Sequence, residues 1–441
     1  MAVNVLKFLP LFFSHTGRLR ISSDRLTLIK SAAEAQGDIV RGARGVLFCH
    51  PDAVRDILVT HDNCFVKSPD LRWAKFTLGN GLLTSEGETH RRQRRLIQPS
   101  LHPARLAGYT DVMTRHAAEA IAHWQDGQTI GLHREMMRLA LCIVAEALFG
   151  AYVGPEVDAI SDAMDRNVEM FRRVTAPWGP LRVFLPTPFN IKFWFARRRL
   201  IETLRRFISH RRASGEVRDD LLGRLLQAQD PEGGGGMTER QLVDECVILF
   251  AAGHETTANA LTFTLWLLAQ NPDAAERMRA EVDAVLGSRL TPNSNDLDTL
   301  QYTRMVLAEG MRLYPPAWVQ GRQVAEACTI AGEKLPHKAV VFVSQWVTHR
   351  DARWWPEPER FDPERFAPER RDSRPRWAYF PFGGGSRQCV GEAFAWAEGT
   401  LVLATIARQW KLEAIDSTPP QLEPGITLRP KQEIKVIVRR R

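Results

Sequence analysis

The sequence predicts a mainly α-helical fold with small peripheral β-sheets, and three observations carry that prediction. Apolar residues recur at helical spacing along most of the chain. The stretch from Val247 to Ala269 is apolar almost all round, the mark of a helix buried at the centre of a large protein. Strand-like runs are few and short. With 441 residues, 44% of them hydrophobic and 25% charged, the chain can bury a large core and is not a disordered polymer.

The chain opens on MAVNVLKFLPLFF, an apolar stretch interrupted by Asn4, Lys7 and Pro10. It is too short to span a bilayer and lacks a small-residue cleavage site before SHTGRLR, so it reads as neither a transmembrane anchor nor a signal peptide. Contact with a membrane surface stays open. A strand-like run follows at 38–49, then helical patterns at 89–98, 104–124, 132–149, 156–173 and 190–213. The glycines from Gly233 to Gly236 form a surface connection inside a domain, because helix signals begin immediately after them. Thr238 and Gln241 have the spacing of a capping box, and the helix they open runs to about Gln270, where Asn271-Pro272 stops it. Further helices are expected at 272–286, 300–313 and 391–408, with strand-like runs at 328–331, 339–343 and 432–439. Residues 353–382, rich in proline, arginine and aromatics, read as a long ordered loop held by specific contacts. No internal repeat divides the chain, and residues 1–441 are expected to form a single domain with no fused reductase.

Lys and Arg number 59 against 51 Asp and Glu, a formal charge of +8. That balance suits an acidic partner, an anionic surface or nucleic acid without choosing among them. The seven arginines at 197–212 follow a run of aromatics and imitate a nucleic-acid surface. An arginine-coated helix with its aromatic face turned inward explains the same residues, and no nucleic acid is expected. The six cysteines are scattered without a C-x-x-C pair, which fits a reducing, cytoplasmic setting.

Chemistry concentrates at FPFGGGSRQCVGEAFAWAEG, residues 380–399. A lone cysteine is ordinarily a structural one, but Cys389 sits between a glycine turn and the start of a helix. The turn can aim backbone N–H groups at the sulfur and the helix presents its positive end, which together favour a thiolate and a metal ligand. Arg387 is placed to pair with a carboxylate, and Phe382 to shield the sulfur. Phe382, Gly385, Arg387, Cys389 and Gly391 together resemble the haem-ligand signature F-x-x-G-x-R-x-C-x-G of the cytochrome P450 family. The resemblance implies a P450-like fold, with a large helical lobe and a long central helix over haem b, whose iron Cys389 would ligate.

Three more segments are similar to that family. Glu309 and Arg312 in EGMR share a helix face, a spacing that alone suggests only a surface ion pair. The resemblance implies that they and Arg365 in FDPERF lock the loop leading to the cysteine. Ala252, Gly253, His254, Glu255, Thr256 and Thr257 resemble the segment [AG]-G-x-[DE]-T-[TS]. A carboxyl buried beside hydroxyls has a raised pKa suited to proton transfer. By resemblance Gly253 lets the helix open for dioxygen, Thr256 hydrogen-bonds the bound oxygen and Glu255 relays protons. His90 and Arg94, four residues apart, fall on one helix face. With Arg322 they resemble the family's propionate-binding residues, leaving Arg91, Arg92 and Arg95 to face an acidic electron donor. Phe250, Ala251, Ala252, Trp318 and Val319 are candidates to line an apolar substrate pocket beneath a lid at 177–212, although core packing explains Phe250 and Trp318 equally well.

The function implied is a haem-thiolate monooxygenase that hydroxylates or epoxidises an apolar molecule of the terpenoid, fatty acid, steroid or polyketide class. It would use O2 and two electrons from an external ferredoxin or flavodoxin with its reductase, and act as a monomer. A peroxide-driven peroxygenase would not need the Glu255–Thr256 pair, and a non-catalytic haem sensor should carry an output module.

Overall fold

The computed structural model describes residues 25–150, 185–215, 220–233 and 235–441, with Ile160, Ala163, Arg166, Glu169, Met170, Arg173, Val183 and Arg218. The N-terminal apolar stretch and most of the helix expected at 156–173 lie outside the described residues. Two compact units emerge.

The first unit takes the described residues up to Pro69, with Arg312–Arg360 and Ala367–Cys389. It opens on the helix Arg25–Gln36, which has neither an acidic first turn nor a strong apolar face and so left no sequence signal. The run expected as one strand at 38–49 is a hairpin, Ile39–Gly42 against Gly45–Phe48. It turns where Gly45 adopts φ +146°, a backbone angle open to glycine. Gly45–Phe48 pairs in parallel with Val340–Val343, which pairs antiparallel with Gln320–Val324, and Phe65–Lys67 closes that edge. Phe48, Ile57, Leu58, Phe65, Val341 and Phe380 share one core beneath this sheet. Cys328–Ile330 and Glu333–Leu335 form a separate hairpin.

The second unit takes Asp70–Met311, Phe361–Phe366 and Val390–Arg441. Its axis is the helix Glu239–Gln270, opened by the expected capping box of Thr238 and Gln241 and ended at Asn271. Reciprocal bonds between the two capping residues satisfy otherwise orphaned N–H groups, which is why a short polar pair fixes so long a helix. The helix packs against Leu132–Phe149, Pro188–Ser214 and Glu392–Gln409. Burial runs through both of its halves, and among the described residues no helix is long and apolar enough to cross a membrane. Gly150, at φ +58°, ends Leu132–Phe149, and Pro272 opens Pro272–Leu286, both at the bounds expected from sequence. Thr129–Gly131, Lys435–Arg440 and Trp410–Ala414 make a three-stranded sheet. Leu422–Pro424 pairs with Leu428–Pro430 in a hairpin that presents Thr427.

Candidate functional site

In the first unit the Cys389 turn is built by glycine. The Gly383 N–H donates to Phe380 O (3.0 Å), and the Cys389 N–H donates to Phe382 O (3.0 Å). Gly385 stands at φ +66°, and a Cβ there would overlap the Leu58 carbonyl oxygen. A side chain is therefore excluded by backbone angle and by space at once. The Ser386 N–H donates to Asp62 Oδ2 (2.9 Å), and Arg387 donates to Phe65 O (2.9 Å) and Asp62 O (3.4 Å). These bonds seat the turn on the segment around Phe65. Cys389 is exposed at its end; in sequence it stands two residues before Gly391, which caps the helix Glu392–Gln409.

The loop before the turn is anchored from Arg312. That side chain is fully buried and donates to the carbonyls of His349 (2.9 Å), Pro358 (2.7 Å) and Arg360 (3.1 Å). His349 accepts the Phe380 N–H at 3.0 Å. It is therefore held neutral, with burial and the Arg312 and Arg350 cations depressing its pKa well below the usual imidazole value. One string of bonds thus runs from Arg312 through His349 and Phe380 to Gly383. Trp355 closes the expected 353–382 loop by donating to Ala378 O (3.3 Å). In the second unit Glu309, fully buried, accepts the Asp362 N–H (2.9 Å) and pairs with Arg365 (3.4 Å).

The central helix supplies the other chemistry. Its buried run breaks at Ala251, Ala252, Gly253 and Thr256, of which Ala252 is exposed and the others half-buried. The backbone stays α-helical throughout, so the expected local opening at Gly253 is not found. Gly253 instead permits close packing: a Cβ there would lie 2.9 Å from Val144 Cγ2. Thr256 Oγ1 donates to Ala252 O (2.6 Å), which leaves its oxygen to act as an acceptor toward this notch. Glu255 is buried, 7% exposed, and its Oε1 accepts the Thr427 hydroxyl at 2.6 Å. Asn259 lies 3.5 Å from the same hydroxyl and 3.1 Å from His133 Nε2.

Two buried titratable groups flank the motif. His254 has no hydrogen bond of ordinary geometry at either ring nitrogen. Burial pushes its pKa down to about 4, and the Met137 carbonyl only partly offsets this. Glu398, on Glu392–Gln409, is fully buried. Its pKa is pushed well above the carboxylate range by desolvation, with the Thr257 hydroxyl opposing. Sequence reasoning missed Thr427 and Glu398 altogether. Asn259 was detectable, since it follows Glu255 by four residues on one helix face.

His90 is buried, and Arg94 donates to Gln98 (3.2 Å). Both lie on the helix Gly87–Ile97. Arg322, buried, donates to Gly321 O (3.1 Å). Phe382, Ala251 and Val319 are half-buried. Phe250 is fully buried and stacked on Phe149 at 4.5 Å. Trp318 is buried at 8% exposure. Arg91, Arg92 and Arg95 are already engaged. Arg91 pairs with Glu88 (2.9 Å), Arg92 with Asp230 (3.2 Å), and Arg95 with Glu232 (2.9 Å) and Asp230 (3.4 Å). The arginine-rich helix Pro188–Ser214 turns Phe193 inward but leaves Trp194 and Phe195 exposed, correcting the expectation of an inward aromatic face.

The sequence model of the family described as cytochrome P450 matches residues 24–438. The chain is 40% identical to cyclooctatin synthase of Streptomyces melanosporofaciens over 91% of its own length and 87% of that protein. It is 37% identical to cyclooctat-9-en-7-ol 5-monooxygenase of the same organism, over 87% and 84%. With pentalenene oxygenase of Streptomyces avermitilis the identity is 34%, over 91% and 88%. In fold it is similar to the haem domain of cytochrome P450DA, with a TM-score of 0.84, 24% identity, and coverage of 94% of this chain and 93% of that one.

Proposed function

Because the chain belongs to the cytochrome P450 family, and is thus a haem-b monooxygenase using dioxygen and electrons from redox partners, we propose that it oxidises a cyclic terpenoid, by hydroxylation or epoxidation. The observation carrying this is the set of relatives matched along most of the chain, two of whose names denote a cyclic alkenol and pentalenene as what they oxidise. The notch at Ala251, Ala252 and Thr256 suits such a substrate, because the two alanines are small and apolar and the Thr256 hydroxyl already donates to Ala252 O.

The residues present fit the cofactor. Cys389 offers a thiolate at the end of a turn fixed by backbone bonds. His90, Arg94, Arg322 and Arg387 are the candidates for the propionates. A guanidinium has five N–H groups, so the bonds from Arg387 to Phe65 and Asp62 are compatible with a carboxylate contact. Haem supplies the redox chemistry, in which dioxygen, two electrons and two protons give one oxygen atom to the substrate and one to water. The chain's own residues handle the protons. Glu255 carries them at its carboxyl, and Thr256 Oγ1, donating to Ala252 O, accepts a hydrogen bond from water in the notch and orients it. Glu309, Arg312 and Arg365 keep the loop in place and take no part in the chemistry. The electron donor is an external ferredoxin or flavodoxin, and the enzyme works as a monomeric single domain in the cytoplasm.

Titrating the purified holoprotein with cyclic terpenes and with fatty acids, while following the haem absorbance, tests the substrate class. A saturable shift with terpenes and none with fatty acids is expected; the reverse overturns it. Thr256→Ala and Glu255→Gln should each lower product formed per reductant consumed, and unchanged coupling in both would remove their assigned roles.

A further inference from the structure

The hydroxyl of Thr427 and the carboxyl of Glu255 are 172 positions apart in sequence, yet their oxygens meet at 2.6 Å in the second unit. Two oxygens this close share a proton; with Glu255 ionised the carboxylate has none to give, so Thr427 donates. Its single O–H being spent, the Thr427 oxygen can only accept from Asn259 Nδ2, the longest link at 3.5 Å. The amide is thereby oriented, with Asn259 Oδ1 turned toward His133 Nε2 at 3.1 Å, and an acceptor there requires a proton on Nε2. Every bond of the string His133, Asn259, Thr427, Glu255 therefore points the same way, with a donor directed at the carboxylate. Asn259 and Thr427 are 0% and 5% exposed, so water cannot substitute for a lost member without entering the core. The string ends outward at a pocket of about 460 Å3, lined by His133, Arg166, Glu169, Glu423, Arg429 and Lys431.

We propose that Thr427 is a positioning residue for Glu255, its hydroxyl pinning one carboxylate oxygen while Asn259 and His133 fix the hydroxyl's direction. The physical effect is twofold. One rotamer of Glu255 is selected, so that its second oxygen faces a constant environment, and the ionised carboxylate is stabilised by a donor that the neutral acid needs less. An amide side chain is a poor proton conductor, so the string acts by orientation and carries no proton inward. The role of Thr427 rests on Glu255 being the proton carrier proposed above.

The test uses the full-length ferric holoprotein. The carboxyl infrared band of Glu255, identified by its loss in Glu255→Gln, is titrated in the parent and in Thr427→Val and Thr427→Ser. In Thr427→Val the titration midpoint should move up by about one pH unit, the effect of losing a hydrogen bond to a charged group. Product per reductant consumed should fall several-fold and the solvent deuterium isotope effect on turnover should rise. Thr427→Ser, which keeps the hydroxyl, should restore all three, and Thr427→Val should add nothing in a Glu255→Gln background. His133→Phe, at the half-buried rim, should shift the band in the same direction by less and serves if Thr427→Val does not fold. A band and coupling unmoved in Thr427→Val, or in His133→Phe if only that variant folds, overturn the positioning role while Glu255→Gln still loses coupling. Unchanged coupling in Glu255→Gln itself instead overturns the reading of Glu255.

Discussion

His254 shows what a motif position does when its side chain takes no part in the chemistry. It lies between Gly253 and Glu255, is fully buried, and is kept neutral with a pKa of about 4 by desolvation. In the unfolded chain an imidazole titrates near 6.5. As pH falls through about 6.5 the unfolded state takes up a proton that the folded state refuses. The stability contributed by neutral His254 is thus complete above that value and is lost progressively down to about pH 4, a loss on the order of 3 kcal/mol. His254→Leu should make the urea midpoint rise less with pH between about 4.5 and 7, while His349, whose pKa is depressed, and Glu398, whose pKa is raised, go on contributing slopes of opposite sign. An unaltered slope in His254→Leu would show that His254 is hydrated in solution. Glu398 works in the opposite sense: its raised pKa favours the protonated fold, so its contribution weakens as pH rises.

At the scale of the element, Gly253 separates propensity from packing. Glycine inside a helix costs about 1 kcal/mol relative to alanine, so Gly253→Ala should stabilise an isolated helix. In the protein the added methyl meets Val144 Cγ2 at 2.9 Å, and valine, branched at Cβ, has no alternative rotamer within a helix to yield to it. Overpacking of this kind costs roughly 1–3 kcal/mol, so Gly253→Ala should lower the melting temperature, and Val144→Ala in the same chain should return it. A double-mutant cycle by thermal unfolding measures the coupling; a cycle with no coupling would mean the two helices separate freely. The same separation explains what could be read beforehand. Leu132–Phe149, Glu239–Gln270 and Pro272–Leu286 carry their end signals within a few residues, as Gly150, Thr238 with Gln241, and Pro272. The Cys389 turn is likewise contiguous. Phe65–Lys67 becomes a strand only because Gln320–Val324 lies beside it, and Thr427 joins the site only through a contact 172 positions away. No local pattern encodes either. The close packing of Gly253 was unreadable for a related reason, since Val144 is invisible from the helix that carries the glycine.

For the whole molecule, the excess of 59 basic over 51 acidic side chains acts at long range whichever cations lie nearest a partner. An acidic electron donor should be attracted, and its association rate should fall as salt shortens the range of that attraction, to about 10 Å at 0.1 M. What the structure changes is which arginines respond. Arg92 donates to the carbonyls of Gly235 and Gly236 (both 2.8 Å) besides pairing with Asp230, and Arg95 bridges Glu88, Asp230 and Glu232. Their charge is already neutralised locally, and they tie the helix Gly87–Ile97 to the glycine-rich connection before the central helix. Arg95→Gln should therefore lower thermal stability while leaving the rate of reduction by an acidic ferredoxin, and its slope against ionic strength, close to the parent values. The parent rate itself should drop steeply with added salt. Stopped-flow reduction across a salt series, run beside thermal unfolding, distinguishes the cases. A salt-independent parent rate would dismiss an electrostatically steered partner, and an Arg95→Gln variant that folds as well as the parent but reduces slowly would return this helix to the docking face.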